Sequence, residues 1–172
     1  MDYSLKESRR SGRPVTLPTG VGPQGLVSVL AIDPGITTGL TYAEVFENIV
    51  FLRCWQDKLR HLDLWMLFVT HDPNWIICET FEYRNRAREG LELFPRELIG
   101  ICNLWVQDRK IEDKLYMQTA AQAKGHFTDQ QLKKYSVYSN KVHGRDSMRH
   151  FLHWFTFGPG YQYNKRQKME LT

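Results

Sequence analysis

Cysteine, long apolar runs and an excess of one charge are all scarce in this sequence. Cys54, Cys78 and Cys102 are odd in number and form no C-x-x-C pair, which argues against a disulfide framework and fits a reduced, cytoplasmic location. The apolar runs, such as residues 64–69, are too short to span a bilayer, and the polar N-terminus lacks the apolar segment of a signal peptide. We therefore expect a protein that is neither secreted nor inserted in a membrane.

The net charge of the chain is only +4 over 172 residues, which permits a polyanionic partner without requiring one. A hydrophobic fraction of 42% is enough to bury a core, and the length corresponds to one domain. We predict a flexible, Gly- and Pro-rich arm over residues 1–25, one folded domain over residues 26–158 and a basic tail over residues 159–172. The arm and the tail either contact a nucleic acid through their basic residues or have no binding role.

The hydrophobic periodicity predicts an α/β fold with a sheet of mixed direction. Residues 26–33, 37–45 and 48–55 predict three strands, close enough in sequence to form an antiparallel meander. Further strands are predicted at residues 74–79 and 113–119, and helices at residues 57–71, 91–108 and 142–157, with a short helix that starts at a capping box of Thr128 and Gln131. Strands and helices in this order give a sheet with helices packed on it.

Two of the helices have a pattern that predicts which side faces the core. In residues 57–71 the apolar residues recur every three or four positions, at Leu59, Leu62, Met66 and Val69. In residues 142–157 one side carries Met148, Phe151, Leu152 and Phe155, and the other carries His143, Asp146, Arg149, His150 and His153. We interpret this second side either as a solvated surface or as part of a functional site.

Three carboxylates stand where a site is expected. Asp33 ends the first strand, Glu79 ends the fourth, and Asp146 lies near the start of the last helix. If the two strands are parallel neighbours, Asp33 and Glu79 emerge at the same edge of the sheet, where open α/β sheets bind ligands. Hard divalent cations such as Mg²⁺ and Mn²⁺ prefer carboxylate oxygens. Each acid alone also fits a bland role, as a turn residue or a helix-start residue.

Histidines on the last helix permit a different metal. A zinc site built from His143, His150 and His153 is an alternative, although the sequence has no H-E-x-x-H pattern and no thiolates near these histidines.

Aromatic and basic residues follow Glu79 directly. Phe81 and Tyr83 alternate with Arg84, Arg86 and Arg88, a combination that can stack on bases and neutralise phosphates. A solvated loop is the bland interpretation of such a cluster. Because the cluster adjoins a candidate catalytic carboxylate, we favour a nucleic-acid contact.

These motifs, in this order, carry a resemblance to a known family. Together they resemble RuvC-type Holliday junction resolvases, which are nucleases with an RNase H-like (retroviral-integrase-like) fold. The segments that carry the resemblance are residues 29–39 (VLAIDPGITTG), 75–79 (WIICE) followed by Phe81, 97–101 (ELIGI), 122–125 (QAKG) and 143–147 (HGRDS). The resemblance implies a five-stranded mixed sheet with helices on both faces. The compact, tryptophan-rich sequence also looks like the versions that bacteriophages encode.

The resemblance further implies the chemistry. Two Mg²⁺ ions, which Mn²⁺ could replace, would be bound by Asp33, Glu79, His143 and Asp146. The enzyme would then hydrolyse a DNA phosphodiester bond by a two-metal mechanism. Lys124 would contact DNA, Phe81 or Tyr83 would wedge into the crossover of a four-way junction, and the arginines after them would hold the strands. Two symmetric cuts imply a homodimer. The family often has aspartate in place of His143, so this histidine would make activity more sensitive to pH.

Other functions fit parts of the pattern. The segment from Asp33 to Gly39 also resembles the phosphate-binding turn of actin-like and sugar-kinase proteins, but those need two domains closing over ATP, and 172 residues do not supply them. A DNA-binding module without cleavage would keep the basic aromatic segment without needing all three acids. A flap or general branched-DNA endonuclease has the same sequence signature as a strict four-way-junction enzyme.

Overall fold

The structure is a computed structural model that describes residues 26–46, 49–81 and 93–164. The predicted arm (residues 1–25), the tail after residue 164, and four of the predicted DNA contacts, Tyr83, Arg84, Arg86 and Arg88, lie outside the described residues.

Five strands form one mixed sheet, as the sequence predicts. The strands are β1 (Val27–Asp33), β2 (Thr38–Phe46), β3 (Ile49–Asp57), β4 (Trp75–Glu79) and β5 (Leu115–Gln118), in the spatial order β3-β2-β1-β4-β5. The first three strands pair antiparallel as a meander, whereas β4 is parallel to both β1 and β5. The carboxyl ends of β1, β4 and β5 therefore lie at one edge of the sheet.

In the described residues, six α-helices and one short 3-10 helix (Glu112–Lys114) accompany the sheet. The α-helices are α1 (His61–His71), α2 (Phe94–Arg109), α3 (Ala120–His126), α4 (Asp129–Lys134), α5 (Val142–Phe157) and α6 (Tyr161–Asn164). The capping box predicted at Thr128 and Gln131 is present at the start of α4. Two of the short α-helices were not predicted. A second capping box, between Thr119 and Gln122, starts α3, and α6 occupies residues that the sequence assigned to the tail.

Side chains of β1 alternate between two hydrophobic cores, so both faces of the sheet are covered. Val29 and Ala31 face the core that α4 and α5 complete, and Leu30 and Ile32 face the core that α1 and α2 complete. The prediction of helices on both faces is thus confirmed.

The predicted core face of α1 is wrong. Leu62, Met66 and Val69 are about half exposed, while Leu64 and Phe68 are completely buried against the sheet. The helix is apolar on nearly all sides, so both sets of residues satisfy helical spacing, and periodicity cannot choose between them. Tertiary packing places Phe68 against Trp105 of α2, with ring centroids 5.4 Å apart. In the part of the chain that the structure describes, no helix is long and apolar enough to cross a membrane.

Candidate active site

Two of the three predicted carboxylates meet because their strands are parallel neighbours. In the register of β1 and β4, Ile32 lies opposite Cys78, so the next residues, Asp33 and Glu79, leave the sheet side by side. Asp33 is only 8% exposed, and Glu79 is partly buried.

The first turn of α5 packs directly on the meander and brings the third carboxylate to this edge. A Cβ atom on Gly39 would lie 1.9 Å from the backbone oxygen of His143, so only glycine permits this approach of β2 to α5. The backbone N–H of His143 donates to Oε1 of Gln56 (3.1 Å), and the hydroxyls of Thr41 and Ser147 are 2.8 Å apart. These contacts fix the position of α5, and therefore that of Asp146, relative to the strand ends.

Asp33 pairs with His143 and interacts electrostatically with the other two carboxylates, Glu79 and Asp146. Nδ1 of His143 lies 2.9 Å from Oδ2 of Asp33. Burial, and then the negative charge of Glu79, raise the pKa of Asp33 to about 6; the charge of Asp146 also raises it, whereas the hydrogen bond from His143 opposes the rise. The structure therefore brings Asp33, Glu79 and Asp146 into one electrostatically coupled cluster with His143 at its side.

Two cations of the chain contact Asp146. Nζ of Lys124 is 3.0 Å from Oδ2, and a guanidinium N–H of Arg149 donates to Oδ1. Lys124, whose side chain is 49% exposed, thus lies beside the carboxylates.

Arg149, whose side chain is 12% exposed, is the centre of a larger ionic network. Its Nε donates to the backbone oxygen of Phe127 (2.8 Å), and its Nη2 donates to Asp129 at the start of α4. Arg145 also pairs with Asp129, with Nε 3.3 Å from Oδ1. The network joins Asp146 to α4 through Arg149.

A solvated face is the wrong interpretation for most of the polar side of α5. His150 is completely buried, His153 is 6% exposed and Asp146 is 7% exposed. The helix α3, which the sequence alone did not predict, lies against Asp146 through Lys124 and against His153 through His126, whereas His150 faces the ends of β4 and β5. Nε2 of His150 is 2.8 Å from Oε2 of Glu79, and Nδ1 is 3.0 Å from Oε1 of Gln118.

The alternative zinc site is not formed. His143 pairs with Asp33, and His150 pairs with Glu79, while the ring of His153 packs edge-on against His126, with centroids 5.1 Å apart. Across residues 26–46, 49–81 and 93–164, no group of three or more His, Cys, Asp or Glu side chains is placed to hold a metal ion.

The donor set nevertheless fits a hard divalent cation in its chemistry. Three carboxylates meet at the sheet edge, and their mutual repulsion contributes to the raised pKa of Asp33. A cation between them would remove that repulsion. Each carboxylate has one oxygen bound by α5, to His143, His150 or Arg149. The other oxygen of Asp146 is bound to Lys124, so a cation reaches it only if the Lys124 ammonium moves.

Sequence reasoning missed two residues of this arrangement. Gln118 ends β5 directly beside Glu79, and a polar residue at the end of the third parallel strand was the signal that could have identified it. Asp129 had no such signal, because an acid in the first turn of a helix is common for electrostatic reasons alone. Of the predicted DNA contacts after Glu79, the structure describes Phe81, whose ring lies 5.4 Å from the guanidinium carbon of Arg96.

Comparison with solved structures identifies the fold. RuvC of Thermus thermophilus superposes with a TM-score of 0.58 at 16% sequence identity, over 80% of this chain and 99% of that one. The chain has the RuvC fold. The T. thermophilus RuvC structure in complex with a Holliday junction substrate gives a TM-score of 0.60 at 16% identity, over 80% of this chain and 98% of RuvC.

A third structure, the yeast mitochondrial Holliday junction resolvase Ydc2, gives a TM-score of 0.48 at 14% identity, over 87% of this chain and 82% of Ydc2. No protein-family model and no curated protein sequence matches the chain. The RuvC fold and the mixed five-stranded sheet expected from the sequence are thus confirmed, while the comparisons give no support to a phage origin.

Proposed function

We propose that the protein is a metal-dependent endonuclease that hydrolyses phosphodiester bonds in branched DNA, with the four-way Holliday junction as its preferred substrate. The observation that carries this proposal is the meeting of Asp33, Glu79 and Asp146 at the carboxyl edge of a RuvC-fold sheet. A protein that only binds DNA has no need to bury Asp33 among like charges, which costs folding free energy.

Asp33, Glu79, Asp146 and His143 are the residues that would hold Mg²⁺ or Mn²⁺, two ions per site. When bound, such ions activate a water molecule and neutralise the leaving oxygen. The Asp33 carboxylate is oriented by the His143 ring, and a protonated His143 cannot act as a ligand.

We propose that Lys124 and Phe81, two of the described residues, contact DNA beside these carboxylates. The Lys124 ammonium lies 3.0 Å from Asp146, within reach of a phosphate that approaches the carboxylates. Phe81 follows Glu79 by two residues, so a base stacked on its ring would hold the strand next to the acids. Tyr83, Arg84, Arg86 and Arg88 are proposed to continue this contact along the strand.

A homodimer with one site per subunit is the assembly we propose, because paired symmetric cuts need two sites related by a two-fold axis. The solved complex of T. thermophilus RuvC contains a Holliday junction substrate, and that precedent supports the choice of junction DNA. We propose the cytoplasm as the location of the protein. A broader branched-DNA or flap endonuclease is the second candidate, since its sheet edge would carry the same acids.

Cleavage of a labelled four-way junction, a flap and a linear duplex, compared side by side with Mg²⁺, Mn²⁺ or EDTA, tests the proposal. We expect paired symmetric nicks in the junction only, which disappear with EDTA. The variant Glu79→Gln should lose about 10²–10³-fold in rate, the scale of removing one preorganised electrostatic group. Glu112→Gln, at an exposed glutamate outside the site, should cleave like the wild type.

The remaining outcomes separate the rival functions. Equal cutting of flaps would favour the broader nuclease. Junction binding without any metal-dependent cutting would overturn the enzyme and leave a DNA-binding module.

A further inference from the structure

His150 is a buried side chain for which the proposed reaction has no role. It lies one turn after Asp146 on α5 and has no exposed surface. Both of its ring nitrogens are bonded, Nε2 to Glu79 and Nδ1 to Gln118. A buried histidine needs partners in any protein, so the question is what these particular partners achieve.

Gln118 determines which ring nitrogen of His150 carries hydrogen. The Gln118 amide nitrogen donates to the backbone oxygen of His150 (3.2 Å), so the amide oxygen is the atom that faces Nδ1. An oxygen can only accept, and Nδ1 therefore donates. Because Gln118 is itself almost completely buried and is the sheet partner of Glu79, the ring is fixed relative to the strand that carries Glu79.

The fixed ring in turn holds one oxygen of Glu79. Nε2 and Oε2 are 2.8 Å apart, and because Nδ1 already donates, a hydrogen bond donated by Nε2 to the ionised Glu79 requires a ring that carries both hydrogens. Glutamate has one more rotatable bond than aspartate, so without this bond its carboxylate has more orientations available. With the bond in place, Oε2 is occupied and Oε1 is the oxygen left for another ligand.

We propose that His150, held by Gln118, is a positioning residue that orients Glu79 so that only Oε1 is offered to a divalent cation. This inference rests on the proposed function, since it takes Glu79 to be a metal ligand. It assigns His150 to the site through Glu79, without contact to DNA or to the cation.

Two substitutions of His150 separate the two ends of the ring. In His150→Gln, the new amide nitrogen lies near the position of Nε2 and can still donate to Glu79. In His150→Asn, the shorter amide can keep the contact with Gln118 but cannot reach Glu79. His153→Asn is the matched control, because His153 is another buried histidine of α5, three residues further on.

Binding of Mn²⁺ to the full chain, followed by electron paramagnetic resonance without DNA, gives a readout independent of cleavage. We expect His150→Asn to bind Mn²⁺ about 10–100-fold more weakly, the usual cost of losing a partner of a metal ligand, with His150→Gln closer to the wild type and His153→Asn unchanged. In cleavage, His150→Asn should lower kcat at saturating metal while junction affinity stays the same. Wild-type Mn²⁺ affinity in His150→Asn, or an equal loss in His153→Asn, would overturn the proposal.

A measurement on the wild-type protein tests the proposal even if His150→Asn fails to fold, because it reports which nitrogens of the His150 ring carry hydrogen. Long-range ¹H–¹⁵N correlation should show a hydrogen on Nδ1 of His150, and a bare Nδ1 would overturn the proposal. A failure of the proposed nuclease function gives a different set of results. If the wild type binds Mn²⁺ and the variants bind it in the expected order, but the protein cuts no DNA, the nuclease function is refuted and the positioning role of His150 stands. Wild-type protein that binds no Mn²⁺ at all would overturn both.

Discussion

The helices on the two faces of the sheet bury different kinds of side chain. On the face covered by α1 and α2, the buried helical side chains are all hydrophobic, among them Leu64, Phe68 and Trp105. On the face covered by α5, the helix buries Asp146, His150 and His153 beside its hydrophobic residues. Burying a polar group costs free energy unless it is bonded. The difference indicates that the α1–α2 face mainly stabilises the fold. On the α5 face, part of the folding free energy is lost by burying the polar side chains of the site.

Removing Arg149 is expected to show a clear difference between the two faces. Arg149→Met removes the mostly buried cation that Asp146 and Asp129 share, although these carboxylates keep Lys124 and Arg145 as partners. We expect a loss of about 2–3 kcal/mol, below the range for a buried charge left without any partner. Arg109→Met on α2 removes an ion pair with Asp72 whose partners are both substantially exposed, so it should cost about 1 kcal/mol or less. Urea denaturation of both variants measures the two costs, and equal costs would contradict the comparison.

Adding one methyl group to a glycine on each face should change stability in opposite directions. Gly39→Ala would place Cβ against the backbone of His143, and we expect a loss of about 3 kcal/mol, the upper range for overpacking. Gly100 lies within α2 with open space around its Cα. Gly100→Ala should therefore raise stability by about 0.5–1 kcal/mol through helix propensity. Thermal unfolding measures both, and a tolerated Gly39→Ala would show that α5 can move away from β2.

Asp33 should give the α5 face a pH dependence. Its pKa is raised to about 6 from its ordinary value of 3.8, so the folded state binds this proton more tightly than the unfolded state does. The stabilisation is fully present below about pH 4 and is lost as the pH rises through about 6. In metal-free protein we expect a loss of roughly 2–3 kcal/mol over this range.

The variant Asp33→Asn should flatten this part of the profile of unfolding free energy against pH. A variant that keeps the full slope between pH 4 and 6 would assign the pH dependence to other groups. Mg²⁺ added at pH 7 should stabilise the wild type more than it stabilises Asp33→Asn, because a bound ligand stabilises the state that binds it.

The sequence predicted those parts of the molecule in which local pattern and tertiary structure agree. The strand ends at Asp33 and Glu79 follow from short apolar runs that stop at acids, and α5 has the predicted bounds. The face of α1 could not be predicted, because an almost wholly apolar helix leaves the choice of face to packing. The burial of His150 could not be predicted either, since its partners Glu79 and Gln118 come together only through the pairing of β4 with β5.

His143, Asp146, Arg149 and His150 all belong to the first three turns of α5, and this placement limits how the gene can change. An α-helix rotates 100° and advances 1.5 Å per residue. Inserting or deleting one residue between positions 143 and 150 would rotate the later side chains by about 100° relative to the earlier ones, so that His143, Asp146, Arg149 and His150 could no longer all face the site. The composition and hydrophobicity of the helix would stay almost unchanged. Length variation among descendants of this sequence should therefore avoid that eight-residue interval, even where single substitutions within it are accepted.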